Sequence, residues 1–148
     1  MRPFVCAGGG FLLAVLWFDL MFDVQVARPG AGAASEALAS ISAYYARVTT
    51  AARPMNRLVA LIMAGTITAA ALEAANGEYE PWVRGLSLAL VLAPVLIAAL
   101  RTVPAAVRLG GRRDPPERQR AIARRILAEH LLCFASIAAL IGVQLGAG

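Results

Sequence analysis

The chain has 148 residues and a net charge of +5 at pH 7, and 59% of its residues are apolar. This composition is typical of an integral membrane protein and excludes an ordinary soluble domain. The positive charge does not indicate nucleic acid, because the arginines lie beside apolar segments, where anionic lipid headgroups are the natural partner. All 14 basic residues are arginine, which favours a GC-rich bacterial genome. The length predicts a single membrane domain over residues 1–148.

The first predicted span covers approximately 4–26 and reads FVCAGGGFLLAVLWFDLMFDVQV. A run of about 20 apolar residues, rising about 1.5 Å each, matches the roughly 30 Å hydrocarbon layer of a bilayer. Asp19 and Asp23 interrupt its second half, and their spacing places both carboxylates on one helix face. Because ionised carboxylates are costly in lipid, we expect that face to point towards the other helices.

The small residues at 31–34 permit a second interpretation of this segment, as a signal peptide that is cleaved. Against it, Asp19 and Asp23 interrupt the apolar region, and the distance from Phe18 to Ala33 is long for the segment before a cleavage site. A retained membrane helix is therefore favoured.

The segment 36–52 is predicted to form an amphipathic helix, with Ser35 as its N-cap. Its apolar side chains recur at helical spacing: Leu38, Ile41, Tyr45 and Val48. We expect this helix to lie in the cytoplasmic interface of the membrane, with these side chains in contact with lipid.

Three further apolar segments predict spans at approximately 55–75, 82–103 and 126–146. The fold class is therefore an all-α integral membrane protein, a four-transmembrane-helix bundle with a cytoplasmic interfacial amphipathic helix between spans 1 and 2. Small residues in the second and fourth spans predict close helix packing, and Pro94 predicts a kink in the third. Glu73 lies near the outer end of the second span, where we expect it to be solvated.

The arginines are unevenly distributed between the connections. Twelve of the 14 lie in the two long connections or at the span ends beside them, and Arg2 and Arg84 lie on the opposite side. The positive-inside bias predicts a multi-pass protein of the bacterial inner (cytoplasmic) membrane with both termini outside. A basic cytoplasmic helix is predicted at 115–125. The arginines expected to contact lipid headgroups in this region are Arg112, Arg113, Arg118, Arg124 and Arg125.

This topology places Asp19, Asp23, Glu129 and His130 in the same cytoplasmic half of the membrane. In a structural interpretation each has a partner: Asp23 with Arg28 or Arg57, Glu129 with Arg125, and Asp19 with His130. We expect Asp23 to be more hydrated than Asp19, because it lies one turn closer to the headgroups. A second interpretation makes the cluster a site for a proton or a cation.

A third interpretation is a divalent metal site formed by Asp19, Asp23 and His130, since carboxylate and imidazole groups are common metal ligands. Glu129 and His130 are adjacent, however, and lack the Glu-x-x-His spacing of carboxylate metal sites in helix bundles. The single histidine excludes an intrachain bis-histidine haem. Cys6 and Cys133 are predicted near opposite membrane faces, too far apart for a disulfide.

No Walker loop, nucleophile elbow or HExxH motif names a reaction. The sequence predicts a small inner-membrane protein with a polar intramembrane site, acting as a transport-related or accessory subunit of a membrane assembly. Because four short spans leave little room for a complete path, a homo-oligomer or a larger membrane complex is expected. The alternative is a membrane-embedded metal-dependent or redox enzyme that uses Asp19, Asp23, Glu129 and His130.

Overall fold

The computed structural model describes residues 1–27, 31–51, 53–77 and 79–147. Within these ranges the chain is helical and contains no strand. Four helices are long and apolar enough to cross a membrane, and they cover Arg2–Ala27, Pro54–Asn76, Pro81–Gly110 and Pro116–Gly146. The predicted all-α fold with four helices of this kind is confirmed.

The helices follow one another with short connections. Helix α1 covers Arg2–Asp23, α2 covers Ala31–Ala46, α3 covers Arg53–Asn76, α4 covers Pro81–Ile97, α5 covers Val103–Gly110 and α6 covers Pro116–Gly146. A 3₁₀ turn at Val24–Ala27 continues α1, and π-helical turns follow α2 at Arg47–Ala51 and α4 at Ala98–Thr102. Prolines begin α4 and α6, where the missing N–H group interrupts no intrahelical hydrogen bond.

The long helices α1, α3, α4 and α6 form the body of the molecule. Helices α1 and α4 each pack against both α3 and α6. The buried core between them contains Val5, Leu12, Ala69, Ala70, Val91, Ile137 and Leu140. Helix α1 approaches α3 closely at Gly8, where a Cβ atom would collide with the Thr66 hydroxyl. The small residues of these helices therefore let the backbones come together.

A second core lies beside this body, between α2, α5 and the start of α6. Its buried residues are Leu38, Ile41, Tyr45, Ala106, Leu109, Ala123 and Ile126, and Val48 is partly buried against them. The prediction that the apolar face of the amphipathic helix contacts lipid is therefore wrong. Because α5 and the first turns of α6 provide an apolar protein surface, α2 buries that face within the molecule. Residue 52, the predicted end of this helix, lies outside the described residues.

Helix α2 and the connection after α5 approach at backbone distance. A Cβ atom on Gly110 would lie 2.8 Å from the Ala46 backbone nitrogen, so only glycine fits there without displacement. Arg112 Nη2 donates to the Ala39 carbonyl at 2.8 Å. Arg108 binds the Asp114 carboxylate through two hydrogen bonds of 2.7 Å. These contacts hold α2 over the start of α6, which positions its tyrosines for the site described next.

Candidate functional site

The imidazole of His130 lies between two carboxylates of α1. His130 Nδ1 is 2.6 Å from Asp23 Oδ2, and His130 Nε2 is 4.0 Å from Asp19 Oδ2. The spacing of the two aspartates turns both towards α6, as the sequence predicts. The structure thus brings together three of the four residues that the sequence indicates, from opposite ends of the chain.

Two tyrosines of α2 complete this cluster. The Tyr44 hydroxyl donates to Asp19 Oδ1 and the Tyr45 hydroxyl donates to Asp23 Oδ1, each at 2.6 Å. Consecutive residues of a helix point about 100° apart, so the two hydroxyls reach different carboxylates. Burial raises the pKa of both phenol groups above the ordinary value of 10.0, and the neighbouring carboxylates add to this shift. The hydroxyls therefore remain protonated and act as donors.

The sequence analysis missed both tyrosines as site residues, because it assigned them to the membrane interface. The available signal was the placement of two consecutive tyrosines on an amphipathic helix, with Tyr45 on its apolar face. The Phe22 and Tyr44 rings also stack, with centroids 4.1 Å apart. This contact between α1 and α2 helps to fix the Tyr44 hydroxyl beside Asp19.

Asp23 is the more buried of the two aspartates. It is 1% exposed, whereas the side chain of Asp19 keeps 18% of its surface. The expectation that Asp23 is the more hydrated one is wrong, because Tyr45 and the apolar face of α2 cover it. The expected direct bond between Asp19 and His130 is also replaced, since the hydrogen bond of His130 is to Asp23. Arg28, a predicted partner of Asp23, lies outside the described residues.

Glu129 belongs to a separate arrangement. Its Oε1 atom lies 2.8 Å from Arg125 Nε and 3.0 Å from Arg101 Nε, and its Oε2 atom accepts from Thr102 Oγ1 at 2.8 Å. The pair with Arg125 that the sequence predicts is therefore present. The π-helical turn after α4 supplies Arg101 and Thr102, which the sequence analysis did not identify as partners. Glu129 is thus compensated by two cations and is not part of the aspartate–histidine cluster.

The aspartate–histidine cluster carries more negative than positive charge. Asp19 and Asp23 bear two negative charges when ionised, whereas His130 bears at most one positive charge. Among the described residues, no arginine forms an ion pair with either aspartate. A buried site of this kind favours the uptake of a proton or a cation, because uncompensated charge away from water is costly.

The geometry does not favour the metal site predicted from Asp19, Asp23 and His130. His130 Nδ1 and Asp23 Oδ2 bind each other at 2.6 Å, so these two atoms do not share a ligand position. In the described part of the chain, no group of three His, Cys, Asp or Glu side chains is arranged to hold a metal ion. The metal-dependent alternative therefore lacks a ligand set there.

A cavity of about 140 Å³ adjoins Asp19 and His130. Its walls come from α1, α3, α4 with the π-helical turn that follows, α5 and α6, and they are mostly apolar, including Met63, Pro94 and Ile137. Since a water molecule takes about 30 Å³ in the liquid, this space accommodates a few waters or a small ion with its hydration. The cavity gives the cluster a neighbouring space into which a proton or cation can move.

The arginines predicted at the lipid headgroups have different surroundings. Arg113 and Arg124 are exposed, and Arg118 lies 3.7 Å from Asp114. Arg112 and Arg125 hydrogen-bond to Ala39 and Glu129, as described above. Arg113 and Arg124 are thus the two members of this group most open to an external anion.

Glu73 is not solvated. It is 3% exposed and accepts a hydrogen bond of 2.7 Å from Gln144 Nε2. The expectation of a solvated Glu73 is therefore wrong, because α6 covers this face of α3 up to its last turn.

No protein-family model matches the chain, and no curated protein or solved structure is significantly similar to it. Any function assigned to the chain therefore depends on the geometry of its own residues.

Proposed function

We propose that this chain is a small multi-pass membrane protein of transport-related function, in which Asp19, Asp23 and His130 bind and release a proton or a monovalent cation. The observation that carries the proposal is the buried, uncompensated negative charge of this cluster. The four long apolar helices support insertion in a membrane. The arginine distribution supports the bacterial inner membrane with both termini outside.

The hydrogen bonds suggest where the proton or cation binds. In one state His130 is neutral, its Nδ1–H group donates to Asp23, and its Nε2 lone pair faces Asp19 at 4.0 Å. A proton on Nε2 then gives an imidazolium between two carboxylates and removes one unit of net negative charge. A monovalent cation between Nε2 and Asp19 Oδ2 changes the net charge by the same amount. Either ligand reduces the electrostatic cost of the buried cluster.

The two tyrosines have a positioning role in this proposal. Each occupies one carboxylate oxygen, Oδ1 of its aspartate, and leaves Oδ2 directed to the histidine. Since both hydroxyls remain protonated, they hold the carboxylates without competing for the exchanged proton. The cavity beside Asp19 and His130 provides the route by which a proton or ion leaves the cluster.

A single copy of the chain contributes only a small enclosed space beside the cluster. We therefore include in the proposal an assembly with further copies or with a larger membrane complex, in which this chain is a transport or accessory subunit. Large exposed apolar side chains on the outer faces of the helices, among them Trp17, Phe18, Leu61 and Leu100, suit lipid or helix contacts. The exposed Arg113 and Arg124 suit anionic headgroups.

The test is proton or alkali-cation flux in liposomes that contain the purified protein and an internal indicator dye. Asp19→Asn is expected to abolish protein-dependent flux while the helical content is kept. Asp114→Asn, the same chemical change outside the cluster, serves as the matched control and is expected to retain flux. Full flux in Asp19→Asn, or equal loss in both variants, would contradict the proposal. Loss of thermal stability without any flux in the unmutated protein would favour the structural interpretation.

A further inference from the structure

A second buried polar cluster lies far from Asp19 and His130. It consists of Glu73 on α3, Ser87 on α4 and Gln144 on α6, which are 3%, 2% and 1% exposed. Gln144 follows His130 on the same helix at a distance of about 21 Å, at 1.5 Å per residue. Apolar core residues, including Val91, Ile137 and Leu140, occupy the space between the two clusters.

The Gln144 amide is oriented by two acceptors. Its Nε2 group donates to Glu73 Oε1 at 2.7 Å and to Ser87 Oγ at 3.1 Å. An amide nitrogen has two hydrogens, so these bonds use both of them. The amide oxygen must therefore lie on the other side of the group, and its orientation follows from the hydrogen bonds.

Two oxygens of this cluster have no hydrogen-bond partner. They are Glu73 Oε2 and Gln144 Oε1, and both are buried. Buried polar atoms are rarely left unpaired, because they lose their bonds to water. Neither oxygen can satisfy the other while the carboxyl group is ionised, since both are then acceptors only.

The charged groups on the neighbouring helices do not neutralise Glu73. On α4, Arg84 Nη1 donates to the Ala74 carbonyl at 2.8 Å, and its buried Nε has no partner. On α1, Arg2 Nη2 donates to the Leu145 carbonyl at 3.0 Å. Among the described residues, neither guanidinium forms an ion pair with the Glu73 carboxyl group.

We propose that Glu73 is a second proton-binding site, in which a proton on Oε2 donates to Gln144 Oε1 and closes a cyclic pair of a carboxylic acid and an amide. One half of this pair is present, the bond from Gln144 Nε2 to Glu73 Oε1. The two unpartnered atoms are the donor and the acceptor that the other half requires. A single proton thus removes the buried charge and satisfies both oxygens. Ser87 holds the second amide hydrogen and so keeps the amide turned for this pair.

This inference does not depend on the Asp19 cluster, because the two sites share no residue. It adds a proton site near the opposite end of the helices, beyond the apolar core.

The first test is infrared spectroscopy of the purified protein in lipid, where a protonated carboxyl group and a carboxylate have separate C=O bands. The unmutated protein is expected to show a carboxylic acid band at neutral pH that is lost in Glu73→Gln. Glu80→Gln, the same change at an exposed position before α4, is the control and is expected to keep the band. Identical acid bands in Glu73→Gln and the unmutated protein would overturn the proposal.

The second test is the pH dependence of thermal unfolding in the same three proteins. The substitution Glu73→Gln supplies a permanent N–H group where the proton lies, so this variant is expected to unfold at or above the temperature of the unmutated protein. A folded state that binds a proton more tightly than the unfolded chain loses stability as pH rises. The unmutated protein and Glu80→Gln are therefore expected to lose stability at high pH, and Glu73→Gln to lose less.

A lower unfolding temperature of Glu73→Gln at neutral pH, with Glu80→Gln unchanged, would show that the charge of Glu73 is used, for instance by Arg84, and would overturn the proposal. Failure of Glu73→Gln to fold has the same meaning, because the neutral amide should replace the neutral acid. Disappearance of the acid band as the pH of the unmutated protein is raised is an independent expected result, which needs no variant.

Discussion

The hydrogen bond between Tyr45 and Asp23 allows a quantitative prediction about how α2 is attached to the four long helices. Tyr45 is 2% exposed and Asp23 is 1% exposed, and the hydroxyl donates to Oδ1 at 2.6 Å. Tyr45→Phe removes this donor but keeps the ring and its packing. Since a hydrogen bond to a charged group contributes about 1.5–3 kcal/mol, we expect the free energy of unfolding to fall by that amount.

The assay is reversible unfolding in mixed micelles, followed by circular dichroism as the fraction of denaturing detergent rises. Tyr79→Phe is the matched control, because the described contacts of Tyr79 include no hydrogen bond of its hydroxyl, and its effect should stay within about 0.5 kcal/mol. A double-mutant cycle of Tyr45→Phe with Asp23→Asn is expected to show coupling, since the two side chains are in direct contact.

An equal, small effect of Tyr45→Phe and Tyr79→Phe would refute this reasoning. So would strictly additive effects in the double-mutant cycle. Either result would mean that the hydroxyl does not hold the Asp23 carboxylate, and the arrangement in which α2 closes the site would be wrong.

Three further predictions concern the region around α5 and the start of α6. Gly110→Ala should lower the unfolding temperature, because its Cβ would lie 2.8 Å from a backbone nitrogen of α2, whereas Gly65→Ala, with open space around it, should not; thermal unfolding of both variants checks this. Hydrogen bonds from Arg108 hold the pKa of Asp114 below its ordinary value of 3.8. The stability from this pair should therefore be present above the ordinary pKa and lost as pH falls through the lower folded-state pKa; Asp114→Asn should lack this acid dependence of thermal unfolding. A cysteine introduced at Arg113 should react with a membrane-impermeant thiol reagent only from the cytoplasmic side, and labelling in intact cells would contradict the proposed orientation.

Much of the helical organisation could be predicted from the sequence, because it depends on local patterns. Apolar runs of about 20 residues are sufficient to predict helices of membrane-spanning length. The spacing of Asp19 and Asp23 predicts one common helix face, since it follows from the geometry of a single helix. The pair of Glu129 with Arg125 is equally local, being one turn apart on α6. These predictions need no knowledge of neighbouring helices.

The partners of the polar groups were decided by the tertiary structure. Tyr44 and Tyr45 looked like interface residues, but α5 and the first turns of α6 cover the apolar face of α2 and turn both hydroxyls to the aspartates. The same covering reverses the expected exposure of Asp19 and Asp23. Whether an amphipathic face meets lipid or protein depends on distant segments, and the sequence pattern of the helix is the same in both cases.

The environment of Glu73 shows the same division at the other end of the molecule. The sequence by itself determined that a carboxyl group lies near the end of a long apolar helix. The tertiary structure decided that Gln144, 71 positions further along the chain, lies against it and that Ser87 orients the amide. Helix periodicity determines which way a side chain points, but only the packing of separate helices determines which donor or acceptor it meets.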